Sequence, residues 1–320
     1  MSRNITLDVL KLFLAFMVVG IHADFLDGVD PLAEYLTVQG VFRIAVPIFL
    51  IINGFYFYQF LVNGKTLSWM KRVIYLYCFW MLFYSYAWFS IPEFNFISIA
   101  KLFHTIIVGY WHLWYISGMI GAAILLALIE KLKVSVVTLS LLMLLTFMIG
   151  VAIQYAGNYH VFNGSILDKL FNLDWVHRSF LFFSFPFFCF GFLINRFNLH
   201  KKVSIGLTAV LSVLGLMALL SESYINYIEP AREGGFDNFL SLIIICPALF
   251  VLFMKINMQG YSKNISYYST GIYVIHLFFL KIFSGHTDLS GTSLTFLVIG
   301  VSLIASFFLI KINKKLKFIL

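Results

Sequence analysis

The chain has 320 residues, of which 61% are hydrophobic and 11% charged, with a formal net charge of +8. At a mean hydropathy of +0.94 it has too little polar surface to cover a water-soluble globule, so it reads as an all-α polytopic membrane protein. The basic excess forms no stripe interleaved with aromatics, which argues against a nucleic-acid partner. Cys78, Cys189 and Cys246 all lie in apolar stretches, with neither a disulfide framework nor metal-ligand spacing, so no metal is expected.

A spanning helix needs roughly 20 apolar residues to cross a hydrocarbon core about 30 Å thick, and about ten such stretches follow one another. They are predicted at 5–25, 39–61, 71–90, 112–130, 134–155, 177–195, 203–221, 238–254, 264–283 and 292–311. The fourth and fifth are joined by a tight hairpin around Lys131 and Lys133. No intervening stretch is long enough for a soluble domain, so residues 1–320 are expected to form a single integral-membrane domain.

The first stretch carries Asp8, Lys11 and His22. At about 100° per residue Lys11 and His22 share one helix face, and Asp8 joins the same stripe. Ionisable groups cost roughly 2.5 to 3.5 kcal/mol each on insertion scales, so this face is expected to look into a protein interior that uses them. A secretion signal has a purely apolar core of about 7 to 15 residues. This stretch is longer and charged, so it is expected to remain as a helix.

A cytoplasmic N-terminus puts most of the 22 basic residues inside, from Arg3 through Lys71 and Arg72 to Lys317. Nearly all the acids then fall outside, from Asp27 and Asp30 to Glu233, Asp237 and Asp288. The positive-inside rule therefore predicts both termini in the cytoplasm, as an even number of spans requires. On that orientation Asp8 and Lys11 lie at the inner end of the first span. His22, Arg43, His112, His177 with Arg178, and His276 all fall in the outer half. Other roles are open to most of them. His112 and His177 sit at span ends, where amphipathic side chains reach for the interface. His276 also suits an interhelical hydrogen bond, and Lys11 could pair with Asp8 or reach the headgroups.

Several strings resemble those of the acyltransferase family 3 membrane proteins. Thr6-Leu7-Asp8-Val9-Leu10-Lys11, ten residues, then His22, is similar to the opening I-D-x-L-R, ten residues, H. Arg43-Ile44-Ala45-Val46-Pro47-Ile48-Phe49-Leu50-Ile51-Ile52-Asn53-Gly54-Phe55 resembles the second-helix R-x-x-V-P-L-F-F-x-x-S-G-Y. His112-Leu113-Trp114-Tyr115 and Tyr273-Val274-Ile275-His276 resemble two later segments. Lys11 stands where the family usually has arginine, keeping the charge but losing the bidentate fork, which Arg72 or Lys71 on the same side could supply. Asn53 stands where serine is common.

The resemblance implies a bacterial inner-membrane enzyme that transfers an acyl group, usually acetyl from acetyl-CoA, to a hydroxyl of a cell-envelope carbohydrate such as lipopolysaccharide, another surface polysaccharide or a lipid-linked precursor. It implies His22 as general base or transient acetyl carrier, and Arg43 as oxyanion stabiliser or as the group holding His22 in register. Asp8 would orient Lys11, with Asn53, His112 and His276 in support and Lys11, Lys71 and Arg72 on the donor. The rival reading is a transporter or flippase using the buried Lys, Arg and His series. Internal repeats with matched broken helices would mark it, and none is visible.

Overall fold

The computed structural model describes residues 3–232, 234–256 and 258–320, with Arg3 and Asn4 described by backbone alone. Glu233, counted above among the outer acids, lies outside the described residues. The chain runs through α1 (Thr6–His22), α2 (Pro31–Val38), α3 (Ala45–Val62), α4 (Thr66–Phe83), α5 (Ser85–Trp88), α6 (Phe96–Val108), α7 (Trp114–Lys131) and α8 (Val136–Asn158). It continues through α9 (Ile166–Phe171), α10 (Asp174–His177), α11 (Phe185–Arg196), α12 (Leu199–Lys202), α13 (Ile205–Ile228), α14 (Leu242–Lys255), α15 (Asn264–His286) and α16 (Gly291–Leu316). Two-residue strands β1 (Arg3–Asn4) and β2 (Gln259–Gly260) pair antiparallel and tie the start of α1 to the start of α15.

The protein is an all-α polytopic membrane protein. Six helical stretches among the described residues are long and apolar enough to cross a bilayer, and Phe96–Val108, Phe180–Arg196 and Leu242–Lys255 are shorter apolar helices. Each of the ten stretches read from hydropathy overlaps one of the helices α1, α3, α4, α7, α8, α11, α13, α14, α15 and α16, of which α1, α11 and α14 are shorter than 18 residues, and α7 and α8 form the expected hairpin.

Lipid tails give helices no hydrophobic reason to associate, so packing rests on close backbone approach and interhelical hydrogen bonds. The α3–α11 pair shows both. A Cβ on Gly54 would overlap the Phe188 carbonyl, and one on Gly191 the Ile51 carbonyl, so the two backbones touch where both helices carry glycine. Nearby, Asn195 Nδ2 donates to the Phe55 carbonyl at 2.6 Å. Helix α1 is joined to α15 in the same manner, with Ser269 Oγ donating to the Lys11 carbonyl at 2.8 Å.

Two features depart from the hydropathy reading. Helix α6 lies between the third and fourth stretches, and its 13 residues are fewer than a spanning window detects. None of its residues is buried, and its far end is pinned by Tyr77 Oη, which donates to the Ile106 carbonyl at 2.6 Å. The eighth stretch is helical only from Leu242. Its 14 residues rise about 21 Å, short of a hydrocarbon core. The preceding segment is irregular, yet Phe236, Asn238 and Phe239 are fully buried. Irregular backbone in a membrane protein is tolerated where protein covers it, and protein covers these side chains.

Candidate active site

Helices α1, α3, α4, α7 and α15 enclose a cavity of about 330 Å³ that contains Lys11 and Arg72 toward one end and Asn53, Tyr115 and Tyr273 toward the other. Lys11 is placed there by the stripe on α1. Its ammonium stands 3.6 Å from the buried Asp8 carboxylate and donates to Ser266 Oγ at 3.3 Å. Arg72 donates to the Leu320 carbonyl at 3.4 Å, and Phe318 and Leu320 close part of the cavity wall. Lys71, one residue earlier on α4, is exposed and outside the cavity lining.

The far wall of this cavity is a thin layer. Asn53 Nδ2 donates to Tyr115 Oη at 2.9 Å and to the Phe49 carbonyl at 2.9 Å. The rings of Tyr115 and Tyr273 meet edge to face at 5.4 Å. Tyr273 Oη donates to the His112 carbonyl, so this tyrosine touches the cavity on one side and the histidines on the other.

Behind the layer three histidines from three segments meet. His22 at the end of α1 stacks on His276 of α15, with ring centroids 5.3 Å apart and planes at 24°. His112, from the turn Trp111–Leu113, sits edge-on to His276 at 5.1 Å. His276 Nδ1 lies 2.7 Å from the Tyr273 carbonyl and 3.2 Å from that of Ile272. Carbonyls only accept, so Nδ1 carries the proton and Nε2 keeps its lone pair. That Nε2 is buried with no hydrogen-bond partner among the described residues, as are both ring nitrogens of His112. Each such orphan costs about 1 to 3 kcal/mol, so these nitrogens are candidate contacts for a ligand. His22 is partly exposed, and Trp111, about half exposed, stands edge-on to it at 6.3 Å.

Arg43 occupies a neighbouring charged cluster whose hub is Asp237. Its Nη1 donates to Asp237 Oδ1, its Nη2 to Gln39 Oε1 and its Nε to the Val38 carbonyl at 3.1 Å. Arg178 Nε donates to Asp237 Oδ2, and His177 Nε2 stands 3.7 Å away from it. Gln154 Oε1 accepts the backbone N–H groups of Asp237 and Asn238 at 2.8 and 3.0 Å. Burial opposes ionisation of Asp237, but Arg178 and Arg43, with His177 behind them, hold its carboxyl well below the usual carboxylate range. Arg43, Arg178 and Asp237 are near enough to act electrostatically on the His22 ring.

The structure thus brings His22, His112 and His276 together, sets Arg43 beside them, and joins Lys11, Asp8, Arg72 and Asn53 along one cavity. Sequence reasoning missed Tyr115, Tyr273 and Trp111 as site residues, and it counted Asp237 as an outer-loop acid. Asp237 carried a legible signal in Asp237-Asn238, a polar pair set between Phe236 and Phe239.

A buried ionic cavity and a histidine cluster inside a helical membrane bundle define a membrane-embedded enzyme or carrier. The acyltransferase domain model matches residues 4–311, and the chain belongs to acyltransferase family 3. It therefore carries a membrane acyltransferase domain. The chain is also 24% identical over 299 residues to a serine/alanine racemase of Enterococcus gallinarum, which covers 86% of this chain and 40% of that protein. It is 25% identical to an amino-acid racemase of Enterococcus faecalis, over 97% of this chain and 46% of the relative. The chain thus spans less than half the length of these two curated relatives. No solved structure matches it.

Proposed function

We propose that this domain is an O-acetyltransferase that takes acetyl from acetyl-CoA on the cytoplasmic side and passes it to a hydroxyl of a cell-envelope carbohydrate on the outer side. The observation that carries this reading is the alignment of the Lys11 and Arg72 cavity with the His22, His276 and His112 cluster across the layer of Asn53, Tyr115 and Tyr273. Lys11 and His22 are about 16 Å apart along α1, so one reacting atom cannot meet both, whereas a long donor such as acyl-CoA can.

In this reading both termini of the ten-span bundle are cytoplasmic, and Lys11 and Arg72 attract the anionic end of the donor. Lys71 acts from outside the cavity as a point of electrostatic attraction. The thioester reaches the tyrosine layer, and the acceptor hydroxyl approaches His22. A hydroxyl is a weak nucleophile, so His22 removes its proton as it attacks the thioester carbonyl, a contribution typically worth about 10² to 10⁴ in rate. His276, with its Nε2 lone pair beside His22, steadies the proton. All three guanidinium nitrogens of Arg43 are already engaged by protein acceptors, which favours its holding the site in register over its binding the oxyanion.

The test is transfer of labelled acetyl from acetyl-CoA to envelope saccharides by the purified protein. Labelled product is expected, and none with any acceptor would remove the reading. A second reading is a conduit for a small polar solute. The two relatives are named as amino-acid racemases, and the polar line from Lys11 to His22 would suit a permeating amino acid. Uptake of labelled serine into liposomes without acetyl transfer would favour it.

A further inference from the structure

A second, larger cavity of about 760 Å³ opens between α6 and α7, beside α4 and α10, and none of the roles above uses it. It is an amphiphile's shape. At one end stand Trp111, Trp175, Asp174 and Arg178, and along its length it is walled by Ile106 and Val108 of α6 and by Trp114 and Ile120 of α7. Gly118 and Gly121 also line it, at the place where α7 packs closely against Ser184 and Phe180. From Trp114 to Ile124 the helix rises about 15 Å, so the groove extends well into the depth of the bundle. Ile74, Ile107 and Ile124 in its lining are exposed to the bundle's surroundings, which makes it open sideways, toward lipid. Its polar end reaches the candidate active site through Trp111, which lines the groove and stands edge-on to His22.

We propose that this groove binds the hydrocarbon anchor of a lipid-linked saccharide acceptor and delivers the sugar to His22 over Trp111. The proposal rests on the acetyltransferase reading. Three observations favour an anchored acceptor over a peripheral bilayer lipid or a partner helix. The groove leads to the reacting histidine rather than ending on the protein surface. Its polar and apolar ends follow the order in which an amphiphile presents head and tail. Helix α6, which forms one wall, is fastened at its end by Tyr77 and by Ser117 Oγ, which donates to the Val108 carbonyl, so the groove is pre-formed. Trp111 holds a positive φ of 43° and is flanked by the Lys281 ammonium at 5.4 Å, a fixed aromatic face of the kind on which a sugar ring stacks.

The experiment uses the full chain in nanodiscs with two photoreactive probes, a diazirine-bearing polyisoprenyl diphosphate saccharide and a diazirine-bearing phosphatidylglycerol. Crosslinks of the first probe are expected on 106–124 and 174–180, with weak labelling there by the second. Ile74→Trp and Ile124→Trp, both at exposed positions, are expected to remove that labelling. They are also expected to raise KM for the lipid-linked acceptor roughly tenfold, with transfer to the same saccharide freed of its lipid unchanged. Equal labelling by the phospholipid, or crosslinks elsewhere, would overturn the groove assignment while acetyl transfer stands. Groove labelling without acetyl transfer to either acceptor would overturn the acetyltransferase reading and support the anchor site.

Discussion

At the scale of single residues, the proposed reaction divides the site into groups that act on substrate and groups that hold others in place. It assigns His22 to the first class. His22→Asn is expected to leave the protein folded and monodisperse by size-exclusion chromatography while reducing acetyl transfer by about 10² to 10⁴. Retention of more than a few per cent of activity would deny it the proton. Asp237 is in the second class, since removing its charge strands Arg43 and Arg178 in a buried cluster. Asp237→Asn is expected to destabilise the protein by about 3 to 5 kcal/mol, measured as a lowered unfolding midpoint in detergent. Its carboxyl titrates lower folded than unfolded, so its contribution is complete above the unfolded pKa of about 3.9 and is lost as pH falls through the lower folded value. The wild type should therefore lose stability on acidification below about pH 4, and Asp237→Asn should show a flatter acid limb.

At the scale of elements, what the sequence revealed depended on whether a residue broke its local pattern. His22, Arg43 and His276 stood out because ionisable side chains are expensive in an apolar span. Tyr115 and Tyr273 did not, since an aromatic in a chain with 37 Phe and 17 Tyr differs from its neighbours only through its hydroxyl. Helix α6 escaped because hydropathy windows find spans and not surface helices. The buried course of 236–239 escaped because its one local signal, the polar pair Asp237-Asn238 between Phe236 and Phe239, does not say whether the segment stays in an outer loop or turns inward. The α3–α11 contact was legible only as Gly54 and Gly191, whose purpose needs both helices in view. Replacing Gly191 with Val forces that contact apart, and a loss of about 4 kcal/mol or more, read as a collapse in folded yield, is expected. The same substitution at the exposed Gly285, which has open space around it, should be nearly neutral.

At the scale of the whole molecule, the proposed orientation makes a direct prediction about the α7–α8 hairpin. A cysteine introduced at Ser135, in a background free of Cys78, Cys189 and Cys246, should react with a membrane-impermeant maleimide in inside-out vesicles and stay unlabelled in right-side-out ones. The reverse pattern would invert the bundle and with it the assignment of donor and acceptor sides. The layer of Asn53, Tyr115 and Tyr273 is the second whole-molecule feature, for it separates a cavity on one side from a histidine cluster on the other. Tyr273→Ala should thin it and raise hydrolysis of acetyl-CoA in the absence of acceptor, measured by thiol release.

That layer also has an electrical consequence. In the proposed reaction, a seal this thin concentrates the membrane voltage across the step in which acetyl leaves sulfur for oxygen. On that proposal the thiolate left behind takes a proton from the cytoplasm, and the acceptor's proton leaves through His22. If that proton exits on the outer side, every turnover carries the equivalent of one positive charge outward, against an inside-negative potential that opposes it by about 2.3 kcal/mol per 100 mV. If His276 returns it through the layer, turnover is silent to voltage. Acetylation by proteoliposomes clamped at different potassium potentials would separate the two, and would show whether a cell that loses its membrane potential modifies its surface faster.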